Sequence, residues 1–194
     1  MNPHLLHPNT EFSSERLSIR TYRPGDAAVY LHMVRDNRDH LYEFLPENVQ
    51  AVQDETGAED ILRWVNRGWE QRELFLFALW ENASGEYVGE VYLANPDWHV
   101  PSIELGYFLV QTCTGQGFAT EAARAATRYA FEQLHVIRLD LQCRADNLPS
   151  QRVAERCGFH VEGRQALRHR KKNGELVDRL WYGLLHTEWQ ANAG

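Results

Sequence analysis

The 194-residue chain has no apolar run near the ~18 residues that a membrane-spanning helix needs, its longest such stretches, as at Leu74 to Trp80, being the size of a strand. It also lacks a basic leader followed by an apolar segment. Met1-Asn2-Pro3-His4-Leu5-Leu6-His7-Pro8 carries two prolines and no Lys or Arg, and reads as an irregular arm and not a secretion signal, so a cytoplasmic protein is expected. Cysteines are few. Cys113, Cys143 and Cys157 are odd in number and form no CxxC, which argues against a disulfide framework and a zinc ribbon and predicts free thiols. The nine histidines include no HExxH and no i, i+4 pair, so no metal site is expected. A basic excess is missing too: 20 basic against 27 acidic residues give a net charge of −7, which disfavours a nucleic-acid-coating surface, and no direct nucleic-acid binding is expected.

What is present is ordinary globular composition, 43% hydrophobic and 24% charged, enough for one core. With no repeat, linker or low-complexity segment, the chain divides into an arm at 1–12, a single domain at 13–190 and a tail at 191–194. The charge is unevenly placed. Six acids and no base lie between Tyr42 and Asp60 (Glu43, Glu47, Asp54, Glu55, Glu59, Asp60), whereas Arg164 to Lys172 holds five bases and no acid. Two solvated faces, or a cation partner on one side and an anion on the other, both fit that pattern.

Arg16 to Arg23 alternates as a half-buried strand, and Pro24-Gly25-Asp26 supplies a turn and an N-cap for a helix over Ala27 to Arg35. A second helix is predicted over Glu55 to Gln71, with Ile61, Leu62, Val65 and Trp69 at helical spacing. Glu73 to Trp80 and Tyr87 to Leu93 then read as a hairpin. Ile103 to Val110 is a strand, Gln111 to Gly117 a Thr/Gly loop, and Phe118 to Leu134 a helix whose inner stripe holds Ala122, Ala125, Ala126 and Ala130. Val136 to Ala145 is a strand, Pro149 to Arg156 a short helix ended by Gly158, and Gln165 to Lys172 with Leu176 to Leu185 flank Asn173-Gly174 as a hairpin.

Chemistry concentrates where a strand runs into Thr114-Gly115-Gln116-Gly117-Phe118-Ala119-Thr120 and then a helix. Glycines there allow a tight turn that brings successive N–H groups to bear on an anion, and the helix N-terminus adds roughly half a positive charge. No Gly-Lys-Ser/Thr follows, so it is not a Walker loop, and the third glycine of a dinucleotide fingerprint is absent. Around it stand Glu104-Leu105-Gly106-Tyr107, Cys143-Arg144-Ala145-Asp146-Asn147-Leu148-Pro149-Ser150 and Ala154-Glu155-Arg156-Cys157-Gly158-Phe159. Together with the opening strand Glu15 to Arg20, these resemble the GNAT acetyltransferase superfamily, in its ribosomal-protein N-acetyltransferase (RimJ/RimL-like) branch, from about Ser13 to Trp189.

The resemblance implies an α+β GNAT fold: a mixed, mostly antiparallel central sheet flanked by helices, with a splayed central strand pair. It implies acetyl-CoA as co-substrate and no metal, with pyrophosphate on the amides of Gly115, Gln116, Gly117, Phe118, Ala119 and Thr120. Pantetheine would run along Phe108, Leu109 and Val110, near Asn147, with Ser150 near the thiol. Thr114 departs from the family's usual Gln or Arg, so backbone amides, with Thr120 or Arg124, are expected to carry more of the binding; Arg124 is equally readable as a solvated helix residue.

Acetyl transfer to an amine needs a neutral nitrogen, a polarised carbonyl and a proton for the leaving sulfur. Glu104, a carboxylate on an otherwise apolar strand, is the candidate base, the alternative being a salt-bridged edge residue. Ser150 is a candidate acid or a helix cap. His99 and Cys113 are weaker candidates, for positioning and for an acyl-enzyme. Tyr42, Phe44, Trp64, Trp69 and Trp98 read as an acceptor wall or as core. The implied acceptor is a primary amine, foremost the α-amino group of a (ribosomal) protein N-terminus. A polyamine or aminoglycoside is the alternative, approaching past the acidic segment. A CoA-sensing module without turnover is a third reading, against which Glu104, Asn147 and Ser150 together argue. A homodimer is left open.

Overall fold

The computed structural model describes residues 2–42 and 46–192. After a 3-10 turn at Pro3–Leu5, strand β1 (Glu11–Ser13) pairs antiparallel with β2 (Leu17–Arg20). The segment expected as an irregular arm therefore enters the sheet. Its Leu6 is buried, and the Phe12 ring stacks on Tyr129 at 4.7 Å and meets the Phe77 ring edge-on at 4.9 Å. β2 stops at Arg20, whose guanidinium turns to Asp26 at 2.7 Å. Asp26 stands before helix α1 (Ala27–Asp36) but makes no side-chain cap; it accepts from the Arg23 amide at 2.7 Å instead, so the turn uses the carboxylate that the helix was expected to use.

Short helices α2 (Arg38–Tyr42) and α3 (Pro46–Ala51) lead into α4 (Glu55–Gln71). Asp54 caps α4 by accepting from the Gly57 amide at 2.9 Å, and Arg72, with φ at 61°, ends it in the left-handed conformation. These helices cover one face of the sheet around Tyr30, Leu31, Val34, Leu41 and Leu62.

The sheet has eight strands in the order β1-β2-β3-β4-β5-β6-β8-β7, where β3 is Leu74–Glu81, β4 Tyr87–Asp97, β5 Ser102–Leu109, β6 Arg138–Arg144, β7 His160–Arg170 and β8 Leu176–Leu185. Among the described residues only β5 and β6 pair in parallel, and the crossover they require is α5 (Phe118–Gln133). Phe118, Ala122, Ala125, Ala126, Tyr129, Ala130 and Leu134 are all buried, and the alanines let α5 lie close against Phe77, Leu79, Val91 and Leu105. Each large side chain so buried contributes roughly 1.5–3 kcal/mol. Helix α6 (Leu148–Arg156) follows β6, and α7 (His186–Asn192) stacks His186 on Phe131 and sets Trp189 at a tilt against the same ring. No helix among the described residues is long and apolar enough to cross a membrane.

One interruption organises the molecule. β5 pairs with β6 only at Ser102↔Arg138, Ile103↔Leu139 and Glu104↔Asp140, while on its other side it stays paired with β4 out to Leu109. From Leu105 onward the two central strands splay, and β6 is held by β8 along its whole length. The gap opens beside Glu104.

Candidate active site

The glycine loop sits at the far end of the splay. Gly115 and Gly117 take φ of 75° and 87°, the left-handed region where other residues are strained, and a Cβ at Gly115 would meet nothing within 4 Å. Glycine serves there for backbone conformation and not for space. Gly117 offers no capping side chain to α5, so the amides of its first turn remain available to an anion, while Phe118 is buried as the loop's anchor. Thr114 turns its hydroxyl to the Gln111 carbonyl at 2.9 Å, and Asn37, at the end of α1, accepts from the Gln111 amide at 2.9 Å.

Arg16 latches the loop from outside. Its guanidinium donates to the Gln116 carbonyl at 3.1 Å, pairs with Glu121 at 2.7 Å and lies over the Phe118 ring at 4.4 Å. A trans peptide points its N–H opposite its carbonyl, so this bond turns the Gly117 amide away from Arg16. Partial burial raises the Glu121 carboxyl, but bonds from Ser14 and Arg16 outweigh it and hold the group below its usual range. Arg124 donates to the Arg156 carbonyl at 2.9 Å, tying α5 to α6.

Within the splay, Asn147 spends its side-chain oxygen capping α6, accepting from the Ser150 amide at 3.2 Å. The Ser150 hydroxyl lies 2.9 Å from that of Tyr107 and also bonds Cys143, whose thiol burial pushes up. Phe108, Leu109 and Val110 bury their side chains, which leaves the strand backbone as what they offer the gap.

β5 alternates. Ile103, Leu105 and Leu109 face α5, whereas Phe108 faces the α1–α4 layer, and Glu104 and Gly106 share its parity. Glu104 accepts from the Asn95 amide group at 3.2 Å. Across Gly106 lies the Tyr92 phenol, so close that any Cβ at 106 would overlap the ring. Burial and the charges of Glu104 and Glu90 push the Tyr92 hydroxyl up to about 12. The role of Tyr92 escaped the sequence reading because it depends on strand pairing, and that of Tyr107 because it depends on where α6 lies; Gly106 in an otherwise bulky strand was the available signal for Tyr92.

A second missed group is Glu90, opposite Phe108 in the β4–β5 register. It is buried, accepts from Tyr22 at 2.6 Å and is bonded by Tyr87, yet burial lifts its carboxyl to about 7.

The weaker expectations separate. His99 lies in the β4–β5 turn, where Asp97 accepts from its amide, and Cys113 lies in the 3-10 turn before the loop. Trp69 and Trp98 pack against the core, Trp64 is exposed, and Tyr42 lies under Lys172; Phe44 falls outside the described residues. Of the acidic segment, Asp54 is a helix cap and Glu59 and Asp60 pair with Arg63, while Glu43 and the Glu47 side chain lie outside the described residues. The basic run is also largely matched: Arg164 with Asp178, Lys171 with Asp146 and Glu175, Lys172 with Asp39. Among the described residues no group of three or more His, Cys, Asp or Glu side chains could hold a metal ion.

A strand–glycine loop–helix unit beside a splayed parallel pair is matched by known proteins. Residues 16–160 match the acetyltransferase (GNAT) domain. The chain belongs to the GNAT acetyltransferase family. It is 29% identical over 180 residues to YdaF of Bacillus subtilis (strain 168), provisionally named a ribosomal N-acetyltransferase, covering 91% of this chain and 95% of that one. It is 25% identical over 185 residues to the [ribosomal protein uS5]-alanine N-acetyltransferase of Escherichia coli (strain K12), covering 94% of each. Mycobacterium smegmatis RimJ, solved with CoA-disulfide, superposes with a TM-score of 0.84 over 97% of this chain and 91% of its own at 22% identity, a likeness of fold. The GNAT fold expected from the sequence is thus the fold observed, and the protein is an N-acetyltransferase by family.

Proposed function

We propose that the enzyme transfers acetyl from acetyl-CoA to the α-amino group of a protein N-terminus, of a ribosomal protein in the cytoplasm. The observation that carries this reading is the end of the β5–β6 ladder at Glu104, which leaves a strand edge for a pantetheine chain between a carboxylate and an anion-binding loop. The residues fit the co-substrate: the amides of Gly115 to Thr120 suit a pyrophosphate, and the Phe108 to Val110 edge suits pantetheine amides. When bound, acetyl-CoA supplies the acetyl group as an activated thioester.

Glu104 takes the proton that an ammonium must lose before its nitrogen can attack. Tyr107 orients the Ser150 hydroxyl, which donates a proton to the departing sulfur. Glu104 and Tyr107 stand on opposite faces of β5, so the amine is deprotonated on one face of the strand and the sulfur protonated on the other. Asn147 fixes the first turn of α6 on which Ser150 rides.

A thiol-release assay with acetyl-CoA against N-terminal peptides, polyamines and aminoglycosides tests the reading. Turnover of peptides with unblocked N-termini supports it; turnover confined to polyamines or aminoglycosides, or none with any amine, overturns it.

A further inference from the structure

The acceptor face of the cleft is asymmetric in its chemistry. On the β5 side stands Glu104, an acceptor of hydrogen bonds. Across the splay, the β6 and β8 residues opposite in parity to the buried Leu141, Tyr182 and Leu184 are Gln142, Arg179 and Trp181. Arg179 donates to the Gln142 side-chain oxygen at 2.7 Å and lies 3.3 Å from His169 Nδ1, which accepts because a guanidinium only donates. Its charge reaches the Tyr92 phenol that lies over Gly106.

The clamp is built by an irregularity of the backbone. Between the pairs Gln165↔Arg179 and His169↔Val177, β7 takes four steps while β8 takes two. The excess turns through Leu167, a non-glycine residue at φ 52°, whose amide donates to Asp178 at 2.8 Å. That bulge carries His169 onto Arg179. With the Gln142 oxygen occupied, what this wall presents is donors: the Gln142 amide N–H groups and the remaining guanidinium N–H groups. Tyr92 stays protonated at neutral pH and adds an O–H.

A carboxylate facing a wall of donors matches a ligand with an ammonium and, beside it, a hydrogen-bond-accepting oxygen. A polyamine has only donors and would set a second ammonium against Arg179. We propose that Arg179, held by Gln142 and His169, recognises the carbonyl oxygen next to the acceptor amine, making an α-amino amide, the start of a peptide, the substrate class. This rests on the acetyl-CoA reading above and deepens it.

The test compares an alanine-first peptide with the same peptide whose first carbonyl is reduced to methylene, using wild type, Arg179→Ala and Arg179→Lys, each checked for its melting temperature and CoA affinity. Comparing variant with wild type on each substrate separately cancels the difference in amine basicity. Arg179→Ala should raise the KM of the peptide about tenfold or more and that of the reduced analogue less than about twofold, because only the peptide loses a charge-assisted bond. Arg179→Lys, which keeps the charge and loses the fork, should show the same selectivity in weaker form and serves if the alanine variant does not fold. Equal losses on both substrates, or none, overturn the proposal while leaving peptide acetylation intact. Wild-type turnover of carbonyl-free amines alone overturns both.

Discussion

The hydroxyl oxygens of Tyr107 and Ser150 lie 2.9 Å apart, joining β5 to α6 across the gap where the sheet itself is not joined. Burial holds the Tyr107 phenol well above its ordinary range, so it stays protonated and can keep the Ser150 hydroxyl oriented. Ser150→Ala should lower kcat by about 10-fold to 10²-fold with CoA affinity unchanged, and Tyr107→Phe should cause part of the same loss. If the two act as one unit, the double variant will be no slower than Ser150→Ala alone. Additive losses in steady-state kinetics would show that the two hydroxyls work separately.

Glu104→Gln keeps the shape of the side chain and removes the proton acceptor. The acetylation rate should fall about 10²-fold or more, with CoA affinity retained, and the deficit should shrink at high pH, where the amine arrives neutral. A variant as fast as the parent at neutral pH would assign Glu104 to structure alone.

At Gly117 a side chain meets a φ of 87° and, on the acetyl-CoA reading proposed above, would also meet the pyrophosphate. Gly117→Val should cost about 1–2 kcal/mol of stability through backbone strain. It should also weaken CoA binding at least about tenfold, measured calorimetrically. A folded variant with parental affinity would place the phosphates elsewhere.

Local signals carried the sequence reading: the Asn173-Gly174 hairpin, the alanine stripe of α5 and the glycine turn all depend on neighbours a few residues away, and all stand as expected. What sequence did not show depends on pairing across long separations. β1 is anchored by Phe12, which finds Phe77 and Tyr129 far along the chain. Tyr92 matters only because register places it over Gly106, and Arg179 only because a bulge delivers His169. Charge runs misled for a related reason: Asp54, Glu59 and Asp60 look like an open rim until their partners, the Gly57 amide and Arg63, are seen.

Glu90 makes stability depend on pH. Its carboxyl titrates near 7 when folded against 4.5 in its ordinary state, so the folded protein binds the proton more tightly. The resulting stabilisation is complete below the unfolded value and is lost as pH rises through the folded one, by on the order of 3 kcal/mol for a shift of this size. Urea midpoints of the wild type should therefore fall between about pH 5 and pH 8 more steeply than those of Glu90→Gln. Parallel pH dependences would mean that the charged form is better accommodated than its burial implies.

Arg16 stands in the turn between β1 and β2, yet its guanidinium grips the Gln116 carbonyl, Glu121 and Phe118 on the far side of the chain's long crossover. The edge of the sheet and the glycine loop are therefore tied to each other through one side chain. An anion that quiets the loop should slow amide hydrogen exchange in Leu17–Arg20, residues it never touches. Reciprocally, trimming the chain back past Ser14 removes the Ser14 bond to Glu121 and loosens the loop from a distance, so that tolerance to N-terminal truncation becomes a readout of how firmly the glycine loop is held.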